Sequence, residues 1–234
     1  TARTLRDAGF RALDVVDLSG DILRVADEWF PRVNRKVLSQ PGVESFVTDG
    51  RNFLLLQDRR YDLVTIELTS IWFAGAAALY NREFYDLVQS RLAPEGVLEQ
   101  WIQLHRLSRE DIVSVIGTLR ERFPRIWLYY TGNQGVLVAC AHDCSPTPAA
   151  ANRLHSEPAL REALAWFGGS SNALAGSVLL EPAAIDRLLA TAGVPITIST
   201  DDNLFLEYST PRGNVRSYAS SIRENVGWLR TFAE

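Results

Sequence analysis

Tyr61-Asp-Leu-Val-Thr-Ile-Glu67 decides the reading of this chain, together with the residues after it, Leu68-Thr-Ser-Ile-Trp-Phe-Ala-Gly75 and Leu79-Tyr-Asn-Arg-Glu-Phe-Tyr85. The first seven residues read as a buried strand that ends on a carboxylate. In open α/β sheets, ligands bind beyond the carboxyl ends of the strands. An acid placed there, followed by an apolar loop with a glycine, faces a pocket rather than the core. This loop is where the chemistry is expected.

Outward from that stretch, strands and helices alternate in the way that predicts a parallel sheet covered on both faces. Strand signals run over Ala12 to Asp17, Val43 to Thr48, Asp62 to Glu67, Gly96 to Leu104, Arg125 to Tyr130 and Gly135 to Ala141. Helix signals run over Asp21 to Trp29, Arg82 to Leu92 and Arg109 to Phe123. The last two strands form an antiparallel hairpin, because Thr131-Gly-Asn-Gln134 is too short for a helical crossover. A Ser/Pro/Thr/Ala-rich stretch over 144–151 reads as a linker. It divides a nucleoside-binding domain, 1–143, from a mainly helical C-terminal extension, 152–234, expected to pack on it. The extension holds amphipathic helices at Glu157 to Trp166 and Pro182 to Ala192, a strand or loop from Thr197 to Tyr208, and a terminal helix from Val215 to Phe232.

Thr1 to Ala8 reads as a helix already under way, with Gly9 as its C-cap, and the sequence contains no Met. A helix before the strand at Ala12 should itself follow a strand and a glycine turn. The expectation is that the first β-strand and its glycine loop lie outside this sequence.

Composition narrows the function classes. A chain of 234 residues, 47% hydrophobic and 22% charged, suits an ordinary globular protein with one good core. The net charge of -4, with no basic run longer than a pair such as Arg35-Lys36, lacks the footprint of a nucleic-acid binder. No stretch approaches the roughly 20 apolar residues of a membrane span, so no membrane contact is expected within this chain. Cys140 and Cys144 are the only cysteines, and no further Cys or His pair completes a zinc set. They are expected to be reduced structural thiols, with no metal. Gly-x-Ser-x-Gly, P-loop and His-Glu-x-x-His patterns are absent, which removes the usual hydrolase and nucleotidase readings.

Asp17, Asp49 and Glu67 fall at or just beyond consecutive strand ends. A carboxylate accepts bidentately from the two hydroxyls of a ribose, and a neighbouring group can read an adenine amine, so a nucleoside suits this set better than a phosphate. Capping of the following helix is the bland reading of each acid, Asp49 above all. Trp72, Phe73, Tyr80 and Trp101 are candidates for an aromatic wall against a cation or an adenine. His105 is a candidate base, and His142 and His155 read as surface residues.

These residues resemble a family. Asp14-Val-Val-Asp-Leu18, Val47-Thr-Asp-Gly-Arg-Asn-Phe53, the Tyr61–Glu67 strand, Leu79-Tyr-Asn-Arg-Glu-Phe-Tyr85 and Leu92-Ala-Pro-Glu-Gly-Val-Leu-Glu-Gln-Trp101 are similar to the spermidine synthase, or polyamine aminopropyltransferase, family. The resemblance covers roughly residues 1–141. It implies a Rossmann-like, class I methyltransferase sheet, mostly parallel with a C-terminal antiparallel hairpin. Glu67 to Gly75, Gln100-Trp-Ile-Gln-Leu104 and Thr200-Asp-Asp-Asn-Leu-Phe-Leu-Glu-Tyr208 resemble a bacterial branch whose members often carry membrane segments before this domain.

The resemblance implies a small-molecule amine attacking the aminopropyl carbon of decarboxylated S-adenosylmethionine, with methylthioadenosine leaving. Carried over by position, Asp17 would bind the ribose, Asp49 and Gly50 would lie against the adenine, and Glu67 would be the catalytic acid. Ser70, Tyr80 and Gln100 would line the substrate side. The implied setting is cytoplasmic, tethered to the inner face of a bacterial membrane where such segments precede the domain, and a homodimer is allowed.

The departures are specific. Polyamine synthases show Asp, two small polar residues and Asp-Pro where this chain reads Glu67-Leu-Thr-Ser-Ile71, so the second acid has become Ser70. Losing it removes an anchor for a diamine, which Asp201 and Asp202 would replace if the C-terminal segment folds over the pocket. A turn or cap before Leu204 to Tyr208 explains that pair equally well. Two alternatives stay open: methyl transfer from S-adenosylmethionine on the same sheet, and a nucleoside-binding domain without catalysis.

Overall fold

The computed structural model describes residues 1–68, 70–73, 75–165 and 169–233. Within the quoted loop Thr69 and Ala74 lie outside the described residues, as does Trp166 at the end of one expected helix. The chain forms two compact units, Thr1–Gln57 with Pro146–Leu174, and Asp58–Ser145 with Ala175–Glu234.

The first unit contains α1 (Ala2–Asp7), β1 (Leu13–Asp17), α2 (Gly20–Trp29), α3 (Pro31–Asn34), β2 (Val43–Val47) and α4 (Gly50–Leu56). Gly9 follows α1 at φ +100, the left-handed conformation that a C-terminal glycine supplies without steric cost. Strands β1 and β2 pair in parallel, Leu13 against Val43 through Asp17 against Val47, as a two-stranded sheet. Both acids of this unit therefore sit at the same end of the sheet. Arg3 ties α1 to Glu162 of a later helix at 2.6 Å.

The second unit carries a five-stranded sheet in the order β3-β4-β6-β5-β7. It comprises β3 (Tyr61–Ile66), α5 (Arg82–Arg91), β4 (Leu92–Ile102), α6 (Arg109–Arg120), β5 (Arg125–Thr131) and β6 (Gln134–Cys140). Next in the chain, α7 (Pro148–Ser156) and α8 (Pro158–Ala165) belong to the first unit, and α9 (Ser171–Ala175) runs up to the boundary. The second unit resumes with β7 (Val178–Leu180), α10 (Pro182–Thr191), α11 (Phe205–Ser209) and α12 (Tyr218–Arg230). The β3–β4 pair is parallel, with Thr65 opposite Glu99 and Ile66 opposite Gln100, and the expected β5–β6 hairpin is present. Ser108 and Asp111 form a reciprocal capping box that starts α6, and nine consecutive residues of α6 are buried.

Several expectations are corrected. The stretch expected as a linker already carries the start of α7, because Pro148 occupies a first-turn position, where its missing N–H costs nothing, and Thr147 caps Ala150 at 3.1 Å. Leu204 to Tyr208 is not a strand. The backbone N–H groups before it are taken by helix hydroxyls, Thr197 by Ser114 Oγ at 3.0 Å and Ser199 by Thr118 Oγ1 at 2.9 Å. Asn203 Oδ1 then accepts from Thr200 and Phe205, and this turn launches α11. Strand β7 escaped notice because three residues carry too little pattern. Cys140 and Cys144 form a disulfide rather than two thiols: the chain turns back after β6 and leaves their Cα atoms 6.5 Å apart. His142, expected at the surface, is half-buried between them.

Candidate active site

In the first unit, Asp17 ends β1 and Asp49 lies two residues past β2. Each carboxylate spends one oxygen locally. Asp17 Oδ1 accepts from Ser19 N at 2.8 Å, and Asp49 Oδ1 accepts from Asn52 N at 2.8 Å as the N-cap of α4. The capping role foreseen for Asp49 is therefore present, and no hydrogen bond to its second oxygen is found among the described residues. A Cβ on Gly50 would meet nothing within 4 Å, so the backbone there is open to an approaching group.

In the second unit, Glu67 directly follows β3 and is exposed. Glu99 is half-buried on the adjacent strand, and its carboxylate accepts a short hydrogen bond from the Thr65 hydroxyl across the β3–β4 register. Burial pushes the Glu99 carboxyl up to about 7; the Thr65 bond opposes that rise and the Glu67 charge adds to it. Two coupled acids thus sit at the carboxyl end of β3 and β4. Glu99 was missed in the sequence, although an acid inside the apolar run Gly96 to Ile102 is a readable signal.

Other expected site residues take structural positions. Tyr80 has 0% exposure and its hydroxyl donates to the Trp101 carbonyl at 2.8 Å. Gln100, also fully buried, accepts from the Tyr85 hydroxyl at 2.8 Å and donates to the Leu79 carbonyl at 2.8 Å. The Leu79–Tyr85 element thus braces β4 from behind, and Tyr80 and Gln100 hold the strand end instead of lining a substrate surface. Burial, then Glu99, raises the Tyr80 hydroxyl, which stays a neutral donor. Ser70 is buried.

Asp201 accepts from Asn81 Nδ2 at 3.1 Å, and its backbone N–H donates to Glu83 at 3.0 Å, which places it at the first turn of α5. Asp202 beside it is exposed. Asn81 also accepts from Ser199 Oγ at 2.6 Å, so the turn reading of this segment accounts for its contacts. Of the expected aromatic wall, Phe73 is exposed, and Trp72 packs edge-on to His105 with centroids 6.1 Å apart. Tyr218 stacks on His105 at 4.4 Å. Burial, then Arg106, lowers the His105 pKa. Gly75 N–H donates to Glu207 at 3.1 Å, fixing the far end of the loop that starts at Glu67. Among the described residues no group of three or more His, Cys, Asp or Glu side chains could hold a metal ion, and no helix is long and apolar enough to cross a membrane.

The chain is 28% identical over 200 residues to a polyamine aminopropyltransferase of Nitrosomonas europaea, covering 82% of this chain and 60% of the relative. It is 30% identical over 127 residues to polyamine aminopropyltransferase 2 of Pseudomonas aeruginosa, covering 53% of this chain and 36% of that one. The chain therefore spans less than two thirds of the length of these relatives. Among solved structures, a spermidine synthase in complex with the transition-state analogue AdoDATO superimposes with a TM-score of 0.52 at 14% identity, covering 67% of this chain and 55% of that one. Spermidine synthase from Thermotoga maritima gives a TM-score of 0.50 at 14% identity, over 63% and 52%. These likenesses establish the α/β, Rossmann-like class I fold. The spermine/spermidine synthase domain matches residues 3–132, more than half of the sequence, and the chain belongs to that family.

Proposed function

We propose that this chain transfers an aminopropyl group from decarboxylated S-adenosylmethionine to a small amine. The observation that carries the reading is the pair of coupled carboxylates, Glu67 just past β3 and Glu99 on β4. The sulfonium donor supplies a carbon activated toward displacement. The neutral amine nitrogen attacks that carbon, the carbon–sulfur bond breaks, and methylthioadenosine leaves with the bonding pair. The new ammonium then releases a proton, which Glu67 accepts. Carboxylates serve this chemistry twice, by stabilising cations and by taking the proton. Taken by itself, the first unit offers Asp17, through the oxygen not used by Ser19, as the candidate for a ribose, and Asp49 with the open backbone at Gly50 as the candidate for an adenine.

Product analysis tests this reading. Purified protein incubated with decarboxylated S-adenosylmethionine and a panel of mono- and diamines should release methylthioadenosine. Formation of S-adenosylhomocysteine from S-adenosylmethionine instead would assign methyl transfer, and no product from either donor would overturn a catalytic role.

A further inference from the structure

Four rings run together beyond the carboxyl ends of β3 and β4, all within the second unit. Phe73 and Trp72, in the loop that begins at Glu67, have centroids 6.3 Å apart. Trp72 meets His105 at 6.1 Å, and His105 meets Tyr218 at 4.4 Å. Phe73 at one end of the run is 58% exposed and Tyr218 at the other is 43% exposed, with Trp72 and His105 half-buried between them. Apolar residues exposed singly are ordinary, whereas a contiguous exposed run marks a binding surface. Two members of the expected aromatic wall, Trp72 and Phe73, thus acquire His105 and Tyr218 as neighbours in place of the buried Tyr80.

The run stands beside the proposed reaction centre, and its reading rests on Glu67 as the acid that meets the amine. Glu67 directly follows β3 and precedes Trp72 by a few positions, and His105 follows the end of β4 by a few. Strands β3 and β4 are parallel neighbours, so these positions share one end of the sheet.

The groups that would hold a second ammonium are turned away or engaged. Ser70, at the place where a diamine site is expected to carry its second acid, is buried. Tyr80 and Gln100 are buried and hydrogen-bonded within the fold. Asp201 accepts from Asn81, and its N–H donates to Glu83. Glu207 directs both carboxylate oxygens at the Gly75 N–H, at 3.1 and 3.2 Å. The loop therefore presents aromatic carbon outward. Burial, then Arg106, lowers the His105 pKa, so that ring favours its uncharged form too.

Ring faces accept cations or aromatic groups. An ammonium on exposed rings keeps most of its hydration and gains little, whereas a phenyl group that lies on them leaves water. One ammonium at Glu67 and an aromatic tail on the rings match both ends of this surface.

We propose that Phe73, Trp72, His105 and Tyr218 form the subsite for the tail of the acceptor, and that the acceptor is a primary amine carrying an aromatic group in place of a second ammonium.

Isothermal titration of the full chain with 2-phenylethylamine and with butane-1,4-diamine tests the subsite without relying on turnover. Salt at about 0.15 M screens the general attraction of the dication to an acidic chain. The aromatic amine is expected to bind at least about tenfold tighter. Phe73→Ala and Tyr218→Ala alter exposed side chains, so both should keep the wild-type melting temperature while the preference shrinks at least about fivefold. Methylthioadenosine release from decarboxylated S-adenosylmethionine is then measured with the same two amines. Tighter binding of the aromatic amine with no release from either would support the subsite and overturn the transfer reading alone. Release with butane-1,4-diamine as the better acceptor would overturn the subsite and leave the transfer reading standing. Equal affinity for the two amines, no saturable binding of 2-phenylethylamine up to about 10 mM, or an unchanged preference in both variants would also overturn the subsite.

Discussion

The two units share one strand–helix alphabet but bury it to different depths. In the first, β1, β2, α1, α2 and α3 contain no buried residue. Its buried hydrophobics among the described residues are Val37, Phe53, Leu54, Leu160 and Leu164. Leu18, Trp29 and Leu56 stand 74%, 74% and 81% exposed. In the second, α6 and the strands β4, β5 and β6 hold a continuous core, with Leu98, Ile116, Leu128 and Leu137 at 0%. A two-stranded sheet has only edge strands, whereas a five-stranded one buries its middle. The difference teaches that an α/β pattern specifies element type but not how much core the elements enclose. It also places the proposed catalytic acid, exposed just past β3, on the well-packed unit.

Core truncation should separate the units most sharply. Leu128→Ala removes a fully buried side chain of β5 and should cost about 2–5 kcal/mol in denaturant unfolding. Val16→Ala in half-buried β1 should cost about 1 kcal/mol. Equal costs would break the comparison.

Glu99 predicts a pH dependence confined to the second unit. Its carboxyl is raised from 4.5 to about 7, so between those values the folded chain holds a proton that the unfolded chain has released. Stability is therefore greatest near and below pH 4.5 for this group and falls as pH rises to about 7, by on the order of 1–3 kcal/mol. Glu99→Gln should flatten that slope, and a slope unchanged in the variant would refute the assignment.

Tyr85→Phe leaves the buried Gln100 oxygen without its donor and should cost about 1–3 kcal/mol. The smallest effect belongs to the first unit. Asp49→Ala should cost about 1 kcal/mol through loss of the α4 cap. Gly50→Ala, with open space around it, should leave stability near wild type while weakening adenosine binding in equilibrium titration.

Much of this architecture was legible in the chain. Strands β1 to β6 and helices α5, α6 and α10 emerge within a few residues of their expected bounds, because hydrophobic periodicity and caps are local signals. What escaped depends on contacts between distant residues. Leu204–Tyr208 has a strand-like composition, yet the Ser114 and Thr118 hydroxyls, some 80 positions earlier, take the N–H groups of the segment before it. The Cys140–Cys144 bond needs a chain reversal that spacing alone does not announce. The position of Glu67 just past a strand was readable, because the apolar run before it has a clear end. The inward turn of Tyr80 and Gln100 was not, since only the packing of α5 against β4 sets it. Glu99 was readable and overlooked.

The most direct test of the central reading is the turnover of Glu67→Gln with decarboxylated S-adenosylmethionine and the amine that the wild-type protein uses best. Glu67 is exposed, so the variant should fold and bind donor as the wild type does. Methylthioadenosine release should fall by about 10²–10⁴-fold, the usual contribution of a positioned base. Wild-type turnover in Glu67→Gln would contradict the assignment of the proton-accepting role to the acid at the end of β3.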